Sequence, residues 1–244
     1  MMAMKINNLL MLASVLVLLV SCWNRNALPG GIELLPDLAD APRQTATSEA
    51  PFDLRFDGRD YRVEPEYDYE LHGLVVSFRH HDGNSRMHLR ADDHLNMLDV
   101  CVVWGSNASN GHLQAFDFWN GIFTCNFKTR DQAAWDAFDL AAVSNNHLLS
   151  DDPLIRRQVR KLRVGDQIRV RGMLASYVSG NGSRRGTSTT REDTGDGACE
   201  TIYVESFENL RPATSGWRIS LWISLAVLLA TLVAHFARPF KSRV

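Results

Sequence analysis

Five arginines in the second half of the chain are candidates for binding an anionic group. They are Arg169, Arg171, Arg184, Arg185 and Arg191. Arginine offers a planar fork of N–H donors that fits a carboxylate or a phosphate. Two of the five alternate with apolar residues in QIRVRGML, and three lie in the glycine- and hydroxyl-rich run RRGTSTTREDTGDGACE. Acidic residues in that run can pair with the same arginines, so a binding loop and a surface connection both stay open.

A second group of polar side chains lies in RHHDGNSRMHLRADDHL, residues 79–95. Imidazole nitrogens and carboxylates are ordinary ligands of zinc and other divalent ions. The candidate ligands are His80, His81, His88, Asp92 and Asp93. Their spacing matches no zinc signature such as HExxH. The sequence therefore predicts no cofactor, and it keeps a divalent metal and a metal-dependent hydrolase using the His80–His94 cluster as the alternative.

The two ends of the chain are apolar segments typical of membrane anchoring. Lys5 precedes the apolar run Leu9–Val20, which has the pattern of a secretory signal or a signal anchor. The following LVSC resembles the lipobox of bacterial lipoproteins, which makes Cys22 a lipidation candidate. At the other end, Ile219–Ala237 carries no Asp, Glu, Lys or Arg. Since about 20 apolar residues span a bilayer, this segment is predicted to be a transmembrane helix.

Basic residues place the two ends on one side of the membrane. Arg238, Lys241 and Arg243 follow the C-terminal apolar segment, and the positive-inside rule puts them in the cytoplasm. The predicted order is a signal peptide or anchor at 1–22, a flexible tether at 23–50, an exported domain at 51–211, a transmembrane helix at 217–237 and a cytoplasmic tail at 238–244. The predicted location is the inner membrane, with the main domain periplasmic or otherwise extracytoplasmic.

The exported part reads as a mainly β domain. Five runs are rich in β-forming residues or alternate in polarity. The predicted strands are Tyr69–Phe78, Asp99–Gly105, Gly121–Phe127, Gln167–Val178 and Thr201–Phe207. A helical stretch with Trp135, Phe138 and Ala142 lies between the third and fourth strands, and a second helix begins near Pro153. This order resembles an OB-fold, a five-stranded barrel with an intervening helix.

Three cysteines lie in the predicted exported domain, where disulfides can persist. They are Cys101, Cys125 and Cys199. One disulfide and one free thiol is the simplest count. The resemblance to an OB-fold implies that the third and fifth strands are neighbours, which favours Cys125–Cys199. Cys101–Cys125, between the second and third predicted strands, is the rival pair.

The chain also resembles a family of uncharacterised bacterial membrane-anchored envelope proteins. The resemblance rests on DHLNMLDVCVVWG, SNNHLL and RRGTSTTREDTGDGACET. It implies one exported domain and no particular reaction. With a net charge of −2, the chain has no overall attraction for nucleic acid. The sequence thus predicts a membrane-tethered, non-enzymatic binding or scaffolding module of the cell envelope, whose partner is an envelope protein or an anionic envelope component.

Overall fold

The computed structural model describes residues 2–81, 93–190, 193 and 199–237. It divides into two compact units, one of residues Met1–Pro29 with Thr214–Val244 and one of Gly30–Ala213. The chain is mainly β, with 39% strand and 32% helix, and it has an apolar helix near each end. These findings confirm the predicted class and the two apolar terminal segments.

The helices are α1 (Met2–Asn24), α2 (Gly105–Ser109), α3 (Gln132–Asp136), α4 (Pro153–Val159) and α5 (Gly216–Phe236). The strands are β1 (Arg43–Ala46), β2 (Phe52–Phe56), β3 (Arg59–His80), β4 (Asn96–Val103), β5 (Phe116–Asn120), β6 (Cys125–Thr129), β7 (Val143–Leu149), β8 (Gln167–Ser179), β9 (Arg184–Arg185) and β10 (Glu200–Arg211).

The terminal helices α1 and α5 pack against each other in antiparallel order. Asn7 Nδ2 donates to the carbonyl oxygen of Thr231 at 3.2 Å, and Arg218 Nε donates to that of Arg25 at 3.1 Å. Polar side chains recur every seven residues along the contact: Asn7, Ser14 and Ser21 on α1, and Ser224 and Thr231 on α5. Small polar residues let helix backbones approach closely. Each helix is long and apolar enough to cross a membrane.

The main sheet is organised by β3, whose 22 residues pair with β1, β2, β4 and β8. Its first part pairs antiparallel with β8, from Tyr61 opposite Ser179 to Leu74 opposite Gln167. Its last part pairs antiparallel with β4. β4 then pairs antiparallel with β7, β7 pairs parallel with β10, and β10 pairs antiparallel with β8. The sheet buries a large apolar cluster, to which α4 contributes Ile155 and Val159, and a second cluster that includes Val63 and Leu149.

The alternation predicted for β8 is present. Ile168 and Val170 are fully buried in the core, while Arg169 and Arg171 lie on the opposite face of the strand. Burying one such aliphatic side chain stabilises a fold by about 1.5–3 kcal/mol. This row of buried residues therefore sets which face of β8 turns inward.

The third strand of the main sheet is not the predicted one. GIFTCNF contributes β6, which pairs only with β5 in a separate two-stranded sheet. The main-sheet strand that follows β4 along the chain is instead β7, in SNNHLL, which was not among the predicted strands. The helical stretch before it shortens to α3. β7 was missed because both of its faces are buried and four of its buried residues are polar, so its sequence shows no alternation of apolar and polar residues.

The predicted tether also contains folded structure. β1 pairs with β3 from Arg43 opposite Glu70 to Ala46 opposite Tyr67, and Leu38 is buried. The folded unit accordingly begins at Gly30 rather than at residue 51. A short strand with mostly exposed side chains carries no apolar pattern of its own, because its pairing depends on a partner that is distant in sequence.

A close backbone contact requires glycine in β8. A Cβ atom built on Gly172 would lie 2.0 Å from the carbonyl oxygen of Tyr203 on β10. The register between these strands shifts immediately beyond this point, between Val204 and Ser206. The contact is therefore with backbone at a β-bulge, where the neighbouring strand cannot simply rotate a side chain away.

We expect Gly172→Ala to destabilise the domain by more than about 2 kcal/mol, because β8 and β10 must separate to admit the methyl group. Gly186→Ala is the matched control, since its Cβ would meet nothing closer than 3.9 Å. Denaturant unfolding of both variants measures the difference. Equal unfolding midpoints for the two variants would show that the close approach of β8 and β10 does not limit the stability of the domain.

One disulfide joins the two-stranded sheet to the main sheet. It links Cys101 on β4 to Cys125 on β6, with a Cα–Cα distance of 5.6 Å, and Cys199 is a free thiol. The predicted count of one bridge and one free thiol among these three cysteines is confirmed. The pair is Cys101–Cys125, because Cys125 lies on the hairpin above β4 and not on a strand of the main sheet.

Removing this bridge with Cys101→Ser should lower the free energy of unfolding by about 3 kcal/mol, the loop-closure value for a loop of this length. Cys199→Ser, which removes a thiol but no bridge, is the control and should change stability little. Thiol alkylation under denaturing conditions checks the pairing. Finding Cys125 alkylated in the oxidised wild type would contradict it.

Candidate functional site

A fully buried carboxylate lies at the centre of the polar face of β4. Asp99 Oδ1 is 2.8 Å from His81 Nε2 and 2.5 Å from His147 Nδ1. Its Oδ2 accepts the backbone N–H of Phe123 at 3.0 Å. Burial by itself raises the pKa of Asp99, but hydrogen bonds and charge from His147 and then His81 hold that pKa well below its usual range.

Strand register explains how these groups meet. Asp99 and His147 are directly opposite each other in the β4–β7 ladder, so their side chains share one face of the sheet. His81 follows the last residue of β3, and its backbone N–H donates to the carbonyl oxygen of Met97 at 3.2 Å. The ends of β3 and β4 therefore hold His81 against the carboxylate.

Phe123 closes this polar face from above. It has a φ of +63°, a left-handed conformation that is unfavourable for a residue with a side chain. Its N–H donates to Asp99, and its ring lies 5.5 Å from the His81 ring and 5.8 Å from the His147 ring. The Arg185 guanidinium stacks 3.8 Å above the same ring. These contacts, together with the disulfide two residues later, offset the backbone strain.

A chain of amide hydrogen bonds runs beside the carboxylate. Ser77 Oγ donates to Asn120 Oδ1 at 2.6 Å, and Asn120 Nδ2 donates to Asn145 Oδ1 at 3.0 Å. Asn145 Nδ2 lies 3.4 Å from the Cys199 sulfur and 3.3 Å from the carbonyl oxygen of Phe123. Burial raises the pKa of the Cys199 thiol, which makes it a poor nucleophile. We assign this series of hydrogen bonds a structural role.

A cleft opens beside the buried carboxylate. It consists of two cavities of about 330 and 380 Å³ that share His81, Arg156 and Arg160. The other lining residues are His80, Met97 and Val159 in the first cavity, and Phe56, Asp57, Asp93, His94 and Asn96 in the second. His81 thus contacts Asp99 on one side and the cleft on the other.

The acidic groups of the cleft are occupied by partners inside the domain. Asp57 Oδ2 is 2.6 Å from His94 Nδ1, and Asp93 accepts a hydrogen bond from the Tyr177 hydroxyl. Both carboxylates keep their negative charge beside Arg156, so the second cavity contains acids as well as cations, whereas the described lining of the first cavity contains His80, Arg156 and Arg160 and no carboxylate. Within the part of the chain that the structure describes, Arg160 forms no ion pair.

The cations of the cleft influence one another. The Arg156 guanidinium donates to the carbonyl oxygens of Ser150, Leu95 and His94 at 2.7, 3.1 and 3.2 Å, so it is held by neutral acceptors. Burial, and then the proximity of His81 and Arg160, lowers the pKa of His80. With two arginines and no carboxylate in its described lining, the first cavity is the part of the cleft that favours an anion.

The arginines predicted to bind lie in two separate places. Arg169 pairs with Glu208, Arg171 Nε lies 3.7 Å from a Glu70 oxygen, and Arg184 bonds Glu64 at 2.8 Å. β9 pairs with Val178 and Tyr177, which are six or more residues beyond Arg171, a distance of about 20 Å along a strand. Arg191 lies outside the described residues. Of the four described arginines, Arg185 is the one that contacts the buried site, and the arginine binding surface stays a prediction.

The predicted metal ligands have separate partners where they are described. His81 contacts Asp99, Asp93 contacts Tyr177, and the His80 ring packs on Phe78. His88 and Asp92 lie outside the described residues, and among those that are described no group of three His, Cys, Asp or Glu side chains could hold a metal ion. The metal site stays a prediction.

Asp99 is the central residue that sequence reasoning missed. A lone carboxylate within the apolar run LDVCVV is the signal that marks it, since an acid in a buried strand needs a partner. No family model, curated protein or solved structure matches the chain. The site must therefore be interpreted from its own geometry.

We expect Asp99→Asn to lower the free energy of unfolding at pH 7 by about 3 kcal/mol, because two buried histidines lose their carboxylate. The pKa of Asp99 is depressed in the folded state, so its stabilisation is present above the ordinary carboxyl pKa of about 4 and is lost as the pH falls below it. The wild type should lose stability steeply below that pH, and the variant less so.

Denaturant unfolding between pH 3 and pH 7 measures this slope. Asp53→Asn is the control, since Asp53 is exposed and pairs only with Arg62. The same acid slope in Asp99→Asn and in the wild type would refute the role of Asp99.

Proposed function

We propose that this chain is a membrane-tethered binding module whose β domain lies outside the cytoplasm and holds an anionic group in the cleft beside His81. The observation that carries the proposal is the charge of the cleft. The described lining of the first cavity contains His80, Arg156 and Arg160 and no carboxylate, while Asp57 and Asp93 line the second cavity. An anion entering the first cavity would meet cations without displacing an internal ion pair.

The membrane tether is supported by the terminal helices. Because α1 and α5 are antiparallel neighbours, two spanning helices would leave both chain ends on one side and the β domain on the other. The basic residues Arg238, Lys241 and Arg243 then favour a cytoplasmic C-terminus in the inner membrane. The packing of α1 against α5 also favours a retained signal anchor over cleavage before Cys22.

The disulfide supports an extracytoplasmic domain. Disulfides persist in oxidising compartments such as the periplasm and are rare in the cytoplasm. Cys101–Cys125 holds the hairpin that carries Phe123 over Asp99, so the site depends on it. A domain that needs this bridge would be poorly suited to a reducing compartment.

The pairing order further supports an OB-fold-like barrel. Strands β3, β4, β7, β10 and β8 are successive neighbours, β8 pairs again with β3, and β7–β10 is the parallel pair. The helix α4 lies between the third and fourth of these strands in sequence. OB-folds commonly bind ligands, though the architecture alone identifies none.

Binding is preferred to catalysis because of the chemistry of the cleft. The residues that line it, as far as the structure describes them, include no hydroxyl or thiol side chain. The Cys199 thiol has a raised pKa and lies against the carbonyl oxygen of Phe123. The imidazole of His81 is engaged by a buried carboxylate. This set of groups can hold an anion but offers no activated nucleophile.

Inorganic phosphate is the probe for this proposal. The full chain, with labelled histidine and in phosphatidylcholine nanodiscs, is titrated between pH 5 and pH 8 with phosphate or with chloride at equal ionic strength. An anion beside His80 favours the imidazolium, so phosphate should raise the pKa of His80 and bind more tightly as the pH falls. Chemical shifts of the imidazole carbons report both effects, and His80→Asn identifies the signal.

Arg160→Gln should weaken phosphate binding several-fold, because it removes the exposed cation of the cleft. Arg130→Gln removes the same charge from an exposed site outside the lining residues and serves as the matched control. An identical His80 titration in phosphate and in chloride would overturn the proposed cleft.

A further inference from the structure

A second basic feature lies at the end of α4 and in the turn after it. Arg157, Arg160, Lys161 and Arg163 are exposed, and no carboxylate in the described part of the chain forms an ion pair with them. We call these four residues the basic turn. The one acid between Arg156 and Arg171 is Asp166, which is fully buried. The charge of the basic turn is therefore directed to solvent.

Asp166 connects the basic turn to the C-terminal exit of the domain. Its Oδ2 accepts the backbone N–H of Arg163 at 2.8 Å, and its Oδ1 accepts that of Ala213 at 2.7 Å. Only Thr214 and Ser215 separate Ala213 from Gly216, the first residue of α5. Three extended residues span at most about 11 Å, so the covalent chain limits how far Ala213 can lie from this apolar helix.

The N-terminal connection contacts Gln167, the residue that follows Asp166 in the chain. The side chain of Gln167 donates to the carbonyl oxygen of Glu33 at 2.8 Å and accepts the backbone N–H of Leu35 at 2.7 Å. Two acids at this end are neutralised within the domain, since Glu33 pairs with Arg211 and Glu208 pairs with Arg169. The basic turn thus adjoins both connections to the terminal helices and keeps its positive charge.

We propose that the basic turn docks on the anionic lipid headgroups of the membrane that holds α5. This inference rests on the membrane tether of the proposed function, but not on anion binding in the cleft. The charges are complementary, since headgroup phosphates are negative and no described carboxylate pairs with the exposed arginines and lysine. The tether supplies the proximity, because screening confines such attraction to about 10 Å at 0.1 M salt. Each cation near an anionic surface strengthens docking by roughly fivefold.

The lysines of the chain give a direct readout. Lys128 and Lys161 are the only lysines between Trp23 and Gly216, and both are exposed. The full chain is placed in nanodiscs of phosphatidylglycerol or of phosphatidylcholine and treated with an amine-acylating reagent. Mass spectrometry then gives the acylation rate of Lys161 relative to Lys128. A headgroup phosphate both covers the Lys161 amine and favours its unreactive protonated form.

We expect the Lys161/Lys128 ratio to fall at least threefold in phosphatidylglycerol at low salt and to recover at about 0.5 M salt, where the Debye length is a few ångströms. Arg157→Gln with Arg163→Gln should abolish most of this fall. Arg55→Gln with Arg62→Gln removes the same charge from the β2–β3 hairpin and should leave the fall intact.

Two results would overturn lipid docking: an equal ratio in the two lipids, or an undiminished fall in the Arg157→Gln, Arg163→Gln variant with native circular dichroism. Failure of the chain to remain in either nanodisc would instead overturn the membrane tether. Phosphate binding at His80 is measured separately in phosphatidylcholine nanodiscs, so the proposal for the cleft and the proposal for the basic turn can be refuted independently.

Discussion

The fold of this domain depends on the need to pair the buried carboxylate of Asp99. An unpaired charge at a fully buried position would cost several kcal/mol, so the groups around it must remain in place whenever the domain is folded. Those groups come from three places that are distant in sequence: His81 after β3, His147 on β7 and the backbone of Phe123 before β6. One side chain thus joins the end of β3, the β4–β7 ladder and the small hairpin.

The hairpin is held over the sheet by three kinds of interaction. The disulfide gives a covalent link, the N–H of Phe123 bonds the carboxylate, and the amides of Asn120 and Asn145 join the hairpin to β7. Such redundancy accounts for the left-handed conformation of Phe123, which a flexible loop would relax. It also gives the cleft a rigid wall, because His81 is held by the same carboxylate and then lines both cavities.

The domain separates its arginines into two populations. Those on β8 and β9 interact with groups inside the domain, namely Glu208, Glu70, Glu64 and the Phe123 ring. Those of α4 and its turn face solvent or the cleft, because Asp166, the one acid between Arg156 and Arg171 in the sequence, is buried and accepts hydrogen bonds from backbone N–H groups. Net charge near zero therefore conceals a local surplus of positive charge, and this surplus is the basis of both proposals.

The sequence alone determined the features that depend on local pattern. Long uncharged runs predict the apolar helices, and alternation places Ile168 and Val170 on the buried face of β8. The odd number of cysteines between the two apolar segments predicts one bridge and one free thiol. Only the tertiary structure decided which strands pair, which cysteines join and which charges remain free. The physical reason is that a buried polar residue looks like a surface residue until its partner is known. The sequence therefore did not show that SNNHLL forms a strand or that Asp99 is the centre of a buried site. Both depend on the pairing of β4 with β7.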